Sequence, residues 1–190
     1  MMQGMANLEE KSILEDNIRY SYMSVVWSHK IQEKQSDILA GEYKKLEIVR
    51  LICNALTSVG LISLIFTDQF LIKFVATMIS FVITLSSMHF KSFDTQNSII
   101  NHKKAANELL GIRDKLRILL VKVKLESKDD FELLSEYEYF IKQLDQIYRE
   151  APSTTDKAVK KASKALKING DNSFSTEEID ANLPESLRRK

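Results

Sequence analysis

Apolar residues fill two stretches of the chain almost without interruption, Val49–Phe66 and Leu71–Phe90. As a helix, each stretch would extend about 27–30 Å, which is close to the hydrocarbon thickness of a bilayer. The formal charges within them, Arg50 and Lys73, lie near the ends, where long side chains can reach the headgroups. The residues between the stretches, Thr67–Phe70, leave room only for a tight turn. The pattern predicts a membrane hairpin at 49–90.

A helical hairpin buried in a soluble core is the alternative, because both stretches also contain hydroxyl and amide side chains. The rest of this 190-residue chain carries nearly all of its charged residues. Such flanking segments have too little apolar surface to cover two helices that are apolar on all sides. The membrane interpretation is therefore favoured, and the lipid bilayer is the first expected partner.

Positive charges flank both ends of the predicted hairpin, whereas its turn offers only Asp68. The flanking residues are Lys44, Lys45, Arg50, Lys91, Lys103 and Lys104. Because positively charged loops stay on the cytoplasmic side, we expect both termini to be cytoplasmic.

Helical periodicity continues on both sides of the hairpin, and no strand pattern is visible. In the N-terminal segment, 1–48, apolar positions recur every three or four residues, as one helical face requires. These positions are Leu14, Ile18, Tyr22, Val25 and then His29. Gly41 is expected to interrupt this helix, since glycine is a poor helix former.

A heptad pattern follows the second apolar stretch, within the segment 91–150. It comprises Ala105, Leu109, Ile112, Leu116, Leu119 and Val123. We expect the second span to continue into this helix unbroken or nearly so, to about Glu126, with a break at Ser127–Asp130. A second pattern then predicts a helix that returns antiparallel: Leu134, Tyr137, Ile141, Leu144 and Tyr148. These seams would hold together the bundle or the subunits of an oligomer.

The C-terminal segment, 151–190, begins with a predicted short helix, Asp156–Ile168, capped by Ser153–Thr155. Alanines give it a thin apolar face, and the remaining surface is basic through Lys157, Lys160, Lys161, Lys164 and Lys167. A solvated face is favoured over one that binds anionic headgroups. A net charge of +1 and the lack of a known motif argue against direct nucleic-acid binding. The predicted fold is thus all-α: a two-helix transmembrane hairpin that continues into a cytoplasmic helical bundle, oligomeric in the membrane.

Polar side chains in the spans are the candidate functional residues: Asn54, Thr57, Ser58, Ser80, Thr84 and Ser87. Small and hydroxyl-bearing residues let membrane helices approach closely, so helix packing is one interpretation. The other is a water-filled path. Two helices cannot enclose a pore, so that path requires several copies of the chain.

Catalytic or metal chemistry finds no support in the sequence. Cys53 is the sole cysteine, and the three histidines are not spaced as metal ligands. We therefore expect no enzyme activity and no cofactor or metal. A pH-sensitive pair of His29 and His102 remains an alternative to ordinary packing roles.

Three segments are similar to the SLATT family of two-span bacterial proteins: the helix Tyr20–His29, the hairpin turn Thr67–Phe70 and the helix His102–Arg113. The resemblance implies an effector of bacterial conflict systems, in the inner membrane, that opens or disrupts the membrane and arrests growth of a phage-infected cell. It also implies a regulatory partner, namely a nucleotidyltransferase, a nucleotide sensor or a reverse transcriptase. A non-conducting membrane anchor or scaffold that recruits a soluble defence partner is the alternative function.

Overall fold

The computed structural model describes the backbone of residues 2–66, 69–125, 127, 129–171 and 175. It describes the side chains of the same residues except 2–11, 57–66, 72, 86–87 and 89–93. The first two residues of the predicted hairpin turn Thr67–Phe70 and the tail 176–190 lie outside the described residues.

Five α-helices and no strand make up the regular structure of the described residues, which confirms the all-α fold class. The helices are α1 Met2–Phe66, α2 Phe70–Phe93, α3 Thr95–Lys124, α4 Asp130–Glu150 and α5 Asp156–Lys167. They group into two compact units, one formed by residues 1–34 and 105–190 and the other by residues 35–104. We call these the bundle unit and the hairpin unit.

The expected interruption at Gly41 is wrong, because α1 runs through this residue without a break. A glycine inside a helix costs only about 1 kcal/mol relative to alanine. The helix-forming residues on both sides of Gly41 are sufficient to offset that cost.

Asp94 is the single residue that separates α2 from α3, so the two helices are nearly continuous, as expected. Its backbone is left-handed, with φ 39° and ψ 48°. Aspartate tolerates this conformation when its side chain forms local hydrogen bonds. Here Asn97 Nδ2 donates to the Asp94 carboxylate at 2.6 Å, and the Ser98 amide donates to the Asp94 carbonyl at 3.0 Å.

In the hairpin unit, the middle of α1 runs antiparallel to the beginning of α3. Ser36 Oγ donates to the carbonyl of Ile99 at 3.2 Å. Seven residues further along α1, the Tyr43 hydroxyl accepts a hydrogen bond from Gln96 Nε2 at 2.7 Å. These contacts fix the start of α3 beside α1 in this unit.

The core of the bundle unit is formed by α1, α3 and α4. The N-terminal helix contributes Leu14, Ile18 and Val25, all buried, as their spacing requires. The whole seam of α3 is buried: Ala105, Leu109, Ile112, Leu116, Leu119 and Val123. The seam thus packs against helices of the same chain.

Helix α4 returns antiparallel to α3, as expected. Lys115 Nζ donates to Gln143 Oε1 at 2.9 Å, and Lys122 forms an ion pair with Glu136. A step of seven residues along α3 therefore matches a step of seven residues back along α4.

The buried face of α4, however, differs in phase from the predicted seam. Leu134 and Tyr148 are 43% and 41% exposed, whereas Leu133, Phe140 and Leu144 are buried. Tyr148 lies at the edge of the core because its hydroxyl bonds to Ser28 Oγ at 3.0 Å. Similarly, the Tyr137 hydroxyl bonds to Ser21 Oγ at 2.8 Å. The polar ends of these tyrosines thus face α1. Leu144 of the predicted seam is buried as expected, and Tyr137 and Ile141 pack against the core. Leu133 and Phe140 take the core positions expected of Leu134 and Tyr148.

Helix α5 begins and ends as its sequence indicates. The side chain of Thr155 caps it by accepting from the Ala158 amide at 3.4 Å. Its thin apolar face, Ala158, Ala162 and Ala165, is buried. After the last turn, Gly170 adopts a positive φ of 68°, a conformation that glycine reaches without steric cost.

Replacing Gly111 by alanine is expected to stabilise the bundle unit by about 0.5–1 kcal/mol. A Cβ added at this helical position meets nothing within 4 Å, so only the conformational freedom of glycine is lost. The thermal unfolding midpoint of Gly111→Ala should therefore rise. Gly170→Ala is the matched control, and its midpoint should fall because φ there is positive. Equal shifts in both variants would contradict the explanation.

Candidate functional site

Helix α2 in the hairpin unit presents a broad open apolar face. Its large side chains there are between 46% and 80% exposed. They are Phe70, Leu71, Phe74, Val75, Met78, Phe81, Val82, Leu85 and Met88. At 100° per residue these positions fall within one sector of about 140°. We call this sector the open apolar face of α2.

The opposite side of α2 is packed. Ala76 is buried, and Ile79 and Ile83 are half-buried. This side is lined by residues of small or branched shape at steps of three and four, as a helix-packing surface requires. The helix is therefore anchored along one side and open along the other.

Hydroxyl groups separate the open and packed sides of α2. Thr77 Oγ1 donates to the Lys73 carbonyl, and Thr84 Oγ1 donates to the Ser80 carbonyl, each at 2.9 Å. Bonds to the carbonyl four residues earlier satisfy a hydroxyl without water. The stripe of Thr77, Ser80 and Thr84 is exposed in the single chain. It can therefore face lipid, a neighbouring helix or water.

The hairpin-unit part of α1 also exposes apolar side chains. They are Leu46, Ile48, Val49, Leu51, Ile52 and Leu56, between 37% and 60% exposed. Arg50 forms an ion pair with Glu47 one turn earlier. This pairing reduces the cost of placing the charge of Arg50 beside apolar surface.

The candidate span residues are only partly covered by the structure. Asn54, Ser80 and Thr84 are exposed. The side chains of Thr57, Ser58 and Ser87 lie outside the described residues. Over the described residues, none of the helices is both long enough and apolar enough to cross a membrane.

All five lysines of the basic helix α5 are exposed: Lys157, Lys160, Lys161, Lys164 and Lys167. The Lys167 ammonium also lies 5.5 Å from the centre of the Trp27 ring, a cation–π distance. At the start of the same segment, Gln32 Nε2 donates to the Pro152 carbonyl at 3.0 Å. Helix α5 is therefore held on α1 at both ends, with its lysines directed outward.

A buried lysine, which sequence reasoning missed, also holds this segment. Lys30 is 4% exposed, and its ammonium lies 2.9 Å from Glu33 Oε2 and 3.3 Å from Asp171 Oδ2. Burial acts to raise the pKa of Glu33, but the hydrogen bond and charge of Lys30, together with Lys34, hold this pKa below its usual value. No local pattern marks Lys30, since Asp171 is distant in sequence.

The two buried histidines occupy different units. His29 Nδ1 donates to the Ala106 carbonyl at 2.8 Å, and its Nε2 lies 3.4 Å from Glu33 in the bundle unit. His102 belongs to the hairpin unit. Burial lowers the pKa of His102 below the ordinary value of 6.5, because desolvation penalises the charged imidazolium.

The stability of the chain is expected to fall as the pH drops below about 6.5, the ordinary pKa of histidine. Below that pH the unfolded state takes up a proton at His102 that the folded state resists, so the free energy of unfolding decreases until the pH passes the lowered folded-state pKa. Thermal unfolding midpoints measured between pH 7.5 and about 3.5 check this. His102→Gln should flatten the decrease, whereas the loss below pH 4.5 associated with Glu33 should remain. An unchanged slope in His102→Gln would contradict this assignment.

Among the described residues, no group of three histidine, cysteine, aspartate or glutamate side chains could hold a metal ion. Residues 14–178 match the protein-family model described as SMODS and SLOG-associating 2TM effector domain family 4. No curated protein and no solved structure matches the chain.

Proposed function

Since this chain belongs to family 4 of the SMODS and SLOG-associating two-transmembrane effector domains, we propose that it is an oligomeric effector of the bacterial inner membrane. When triggered, the oligomer forms a pore or disrupts the membrane, and the infected cell stops growing. The family match agrees with the resemblance drawn from the helices Tyr20–His29 and His102–Arg113, and it places the chain among effectors of conflict systems.

The observation that carries the proposal is the open apolar face of α2, together with the exposed apolar residues of α1 in the same hairpin unit. Contiguous exposed apolar surface of this kind marks a membrane-binding or protein-binding region. In water it is unfavourable by roughly 25 cal/mol for each Å². Spans at Val49–Phe66 and Leu71–Phe90 would transfer this surface into lipid, with both termini in the cytoplasm.

The stripe of hydroxyl side chains on α2 supports the proposal that the oligomer forms a pore. Thr77 and Thr84 satisfy their hydroxyls on their own helix, so both tolerate an apolar environment before assembly. In an assembly, the stripe of Ser80 and Thr84 can turn toward a shared axis and bind water there. A single hairpin has only two spans, so several copies have to contribute to one pore.

A triggering partner is a further part of the proposal. We propose a nucleotidyltransferase, a nucleotide sensor or a reverse transcriptase of the same defence system. The outward lysines of α5 offer such a partner a basic surface to which an acidic face would bind. The same observation favours the second candidate function, a non-conducting membrane anchor that recruits a soluble defence partner.

Membrane insertion and leakage test the two parts of the proposal separately. The full chain should remain in the membrane fraction after a carbonate wash, and Phe81→Arg with Leu85→Arg, on the open apolar face, should release it. Lys160→Arg on α5 is the matched control and should change nothing. Purified chain in liposomes should release a trapped dye when triggered. Retention in the membrane without leakage under any trigger would exclude the pore and leave the anchor, whereas release of the unmodified chain by carbonate would exclude both.

A further inference from the structure

Helix α3 carries an exposed apolar ridge in addition to its buried seam. Ile118, Val121 and Leu125 follow one another at steps of three and four residues, so they share a helical face. They are 55%, 51% and 72% exposed. We call these three residues the α3 ridge. The ridge points away from the core that Leu116 and Leu119 enter.

An apolar groove runs between α1 and α4 in the same unit. It has a volume of about 450 Å³ and is lined by Ile13, Asn17, Asp130, Phe131 and Leu134, among others. Ile13 and Phe131 are 58% and 77% exposed. Ridges of side chains on one helix pack into grooves on another helical surface, and the α3 ridge and the α1–α4 groove are both apolar.

The ridge and the groove lie at the same level along the bundle. The contacts Lys115–Gln143 and Lys122–Glu136 fix the antiparallel register of α3 and α4. Three residues further along, this register places Leu125 level with Leu133. That residue is the neighbour of Leu134 in the groove.

We propose that the α3 ridge of one copy of the chain packs into the α1–α4 groove of the next copy, head to tail. A rotation about an axis parallel to the helices leaves every residue at its own level, so each Leu125 meets the groove of its neighbour. Contacts between two different surfaces of the same chain generate a ring when the rotation closes. The inference deepens the proposed function, which requires several copies around one axis.

Charge supports a second copy as the occupant of the groove. Arg117 and Lys124 are exposed and seven residues apart, on one side of the ridge. In the same register, Lys124 is level with Leu134, between Asp130 and the exposed Glu138. Arg117 is level with the turn that follows Glu138. Arg117 also lies 3.9 Å from Asp114 of its own helix, so Lys124 is the positive charge beside the ridge that is level with the acidic residues of the groove. A single chain carries both charges.

Cysteine cross-linking in membranes tests this packing. In a Cys53→Ser background, two differently tagged chains are co-expressed, one with Leu125→Cys and the other with Leu134→Cys. Head-to-tail packing should give a disulfide-linked pair that carries both tags. Lys160→Cys on α5 replaces Leu125→Cys in the matched control and should give at least tenfold less of this pair.

Each single variant, expressed alone, distinguishes other arrangements. Homodimers of Leu125→Cys alone would show that two ridges meet across a twofold axis, and would overturn the proposal. Absence of any linked pair would overturn it as well. This assay does not depend on leakage, so a ring that forms without conducting would refute the pore and leave the interface standing.

Charge reversal gives an independent measurement. Arg117→Glu with Lys124→Glu should reduce the cross-linked pair at least tenfold, because like charges then face each other across the contact. Adding Asp130→Lys with Glu138→Lys to the chain that supplies the groove should restore it. Failure of that rescue, in variants that remain helical by circular dichroism, would contradict the proposed charge pairing.

Discussion

Leu116→Ala is expected to lower the free energy of unfolding by about 3 kcal/mol, within the range of 2–5 kcal/mol for leucine deletions in packed cores. Leu116 is fully buried at the centre of the α3 seam, in contact with the core that α1 and α4 complete. Its removal leaves a cavity that these helices cannot fill without moving. Thermal unfolding of the full chain in detergent, followed by circular dichroism at 222 nm, measures the loss.

Ile118→Ala is the matched control, two residues along the same helix. Ile118 is 55% exposed, so the same kind of truncation should change the unfolding free energy by no more than about 0.5 kcal/mol. It should instead weaken the cross-linked pair, because Ile118 belongs to the α3 ridge. Similar losses of stability in the two variants would show that α3 is buried on both sides, contrary to the structure.

Ser80→Leu with Thr84→Leu is expected to reduce triggered dye leakage at least tenfold while leaving membrane insertion unchanged. In a pore, this double substitution replaces the groups that bind water along the axis by apolar side chains, and a narrow apolar constriction excludes water. Neither substitution adds a charge, and both raise the apolar character of α2. Liposome leakage and the carbonate wash, carried out on the same preparation, measure the two properties.

Met78→Leu with Val82→Leu is the control on the open apolar face of the same helix. It keeps the surface apolar and should leave both leakage and insertion as they are. If the Ser80 and Thr84 variant still leaks as the unmodified chain does, the hydroxyl stripe does not line a conducting path. If the variant binds a recruited partner normally but the unmodified chain never leaks, the anchor function is favoured.

Much of the bundle unit could be predicted from spacing alone. The steps of three and four at Leu109–Val123 identify the buried seam, because a helix repeats every 3.6 residues and only one face can reach the core. Thr155 and Gly170 mark the ends of α5, since their chemistry is local: a side chain that accepts an amide hydrogen bond, and a residue free to adopt positive φ. Local chemistry of this kind needs no knowledge of the fold.

The face of α4 could not be predicted to the residue. The predicted stripe through Leu134 and Tyr137 and a second stripe through Leu133 and Phe140 are offset by only about 60–100° around the helix. The structure buries the second stripe because Tyr137 and Tyr148 use their hydroxyls to bind serines on α1, which turns the helix. A tyrosine counts as apolar in a periodicity pattern, but its polar end requires a partner that belongs to another helix.

The candidate site, like the bundle unit, could be predicted from the sequence only in part. The apolar content of 49–90 follows from composition, and so do the lysines of α5, because charge and hydropathy are properties of each residue by itself. Which side of α2 is packed on Ala76 and which side is open depends on the helices beside it. The ion pair of Lys30 with Asp171 likewise appears only when the segment that follows α5 is placed on α1, whereas the pair of Lys30 with Glu33 lies within α1.

The sequence by itself determined that this chain is helical, that its apolar surface is concentrated in its centre, and that it resembles a two-span effector family. Only the tertiary structure decided that Lys30 is buried and that a ridge and a groove lie level on the bundle unit. The physical reason is the range of the interactions. Helix periodicity and hydropathy act between residues a few positions apart, whereas burial and ion pairing join residues more than a hundred positions apart that only folding brings together.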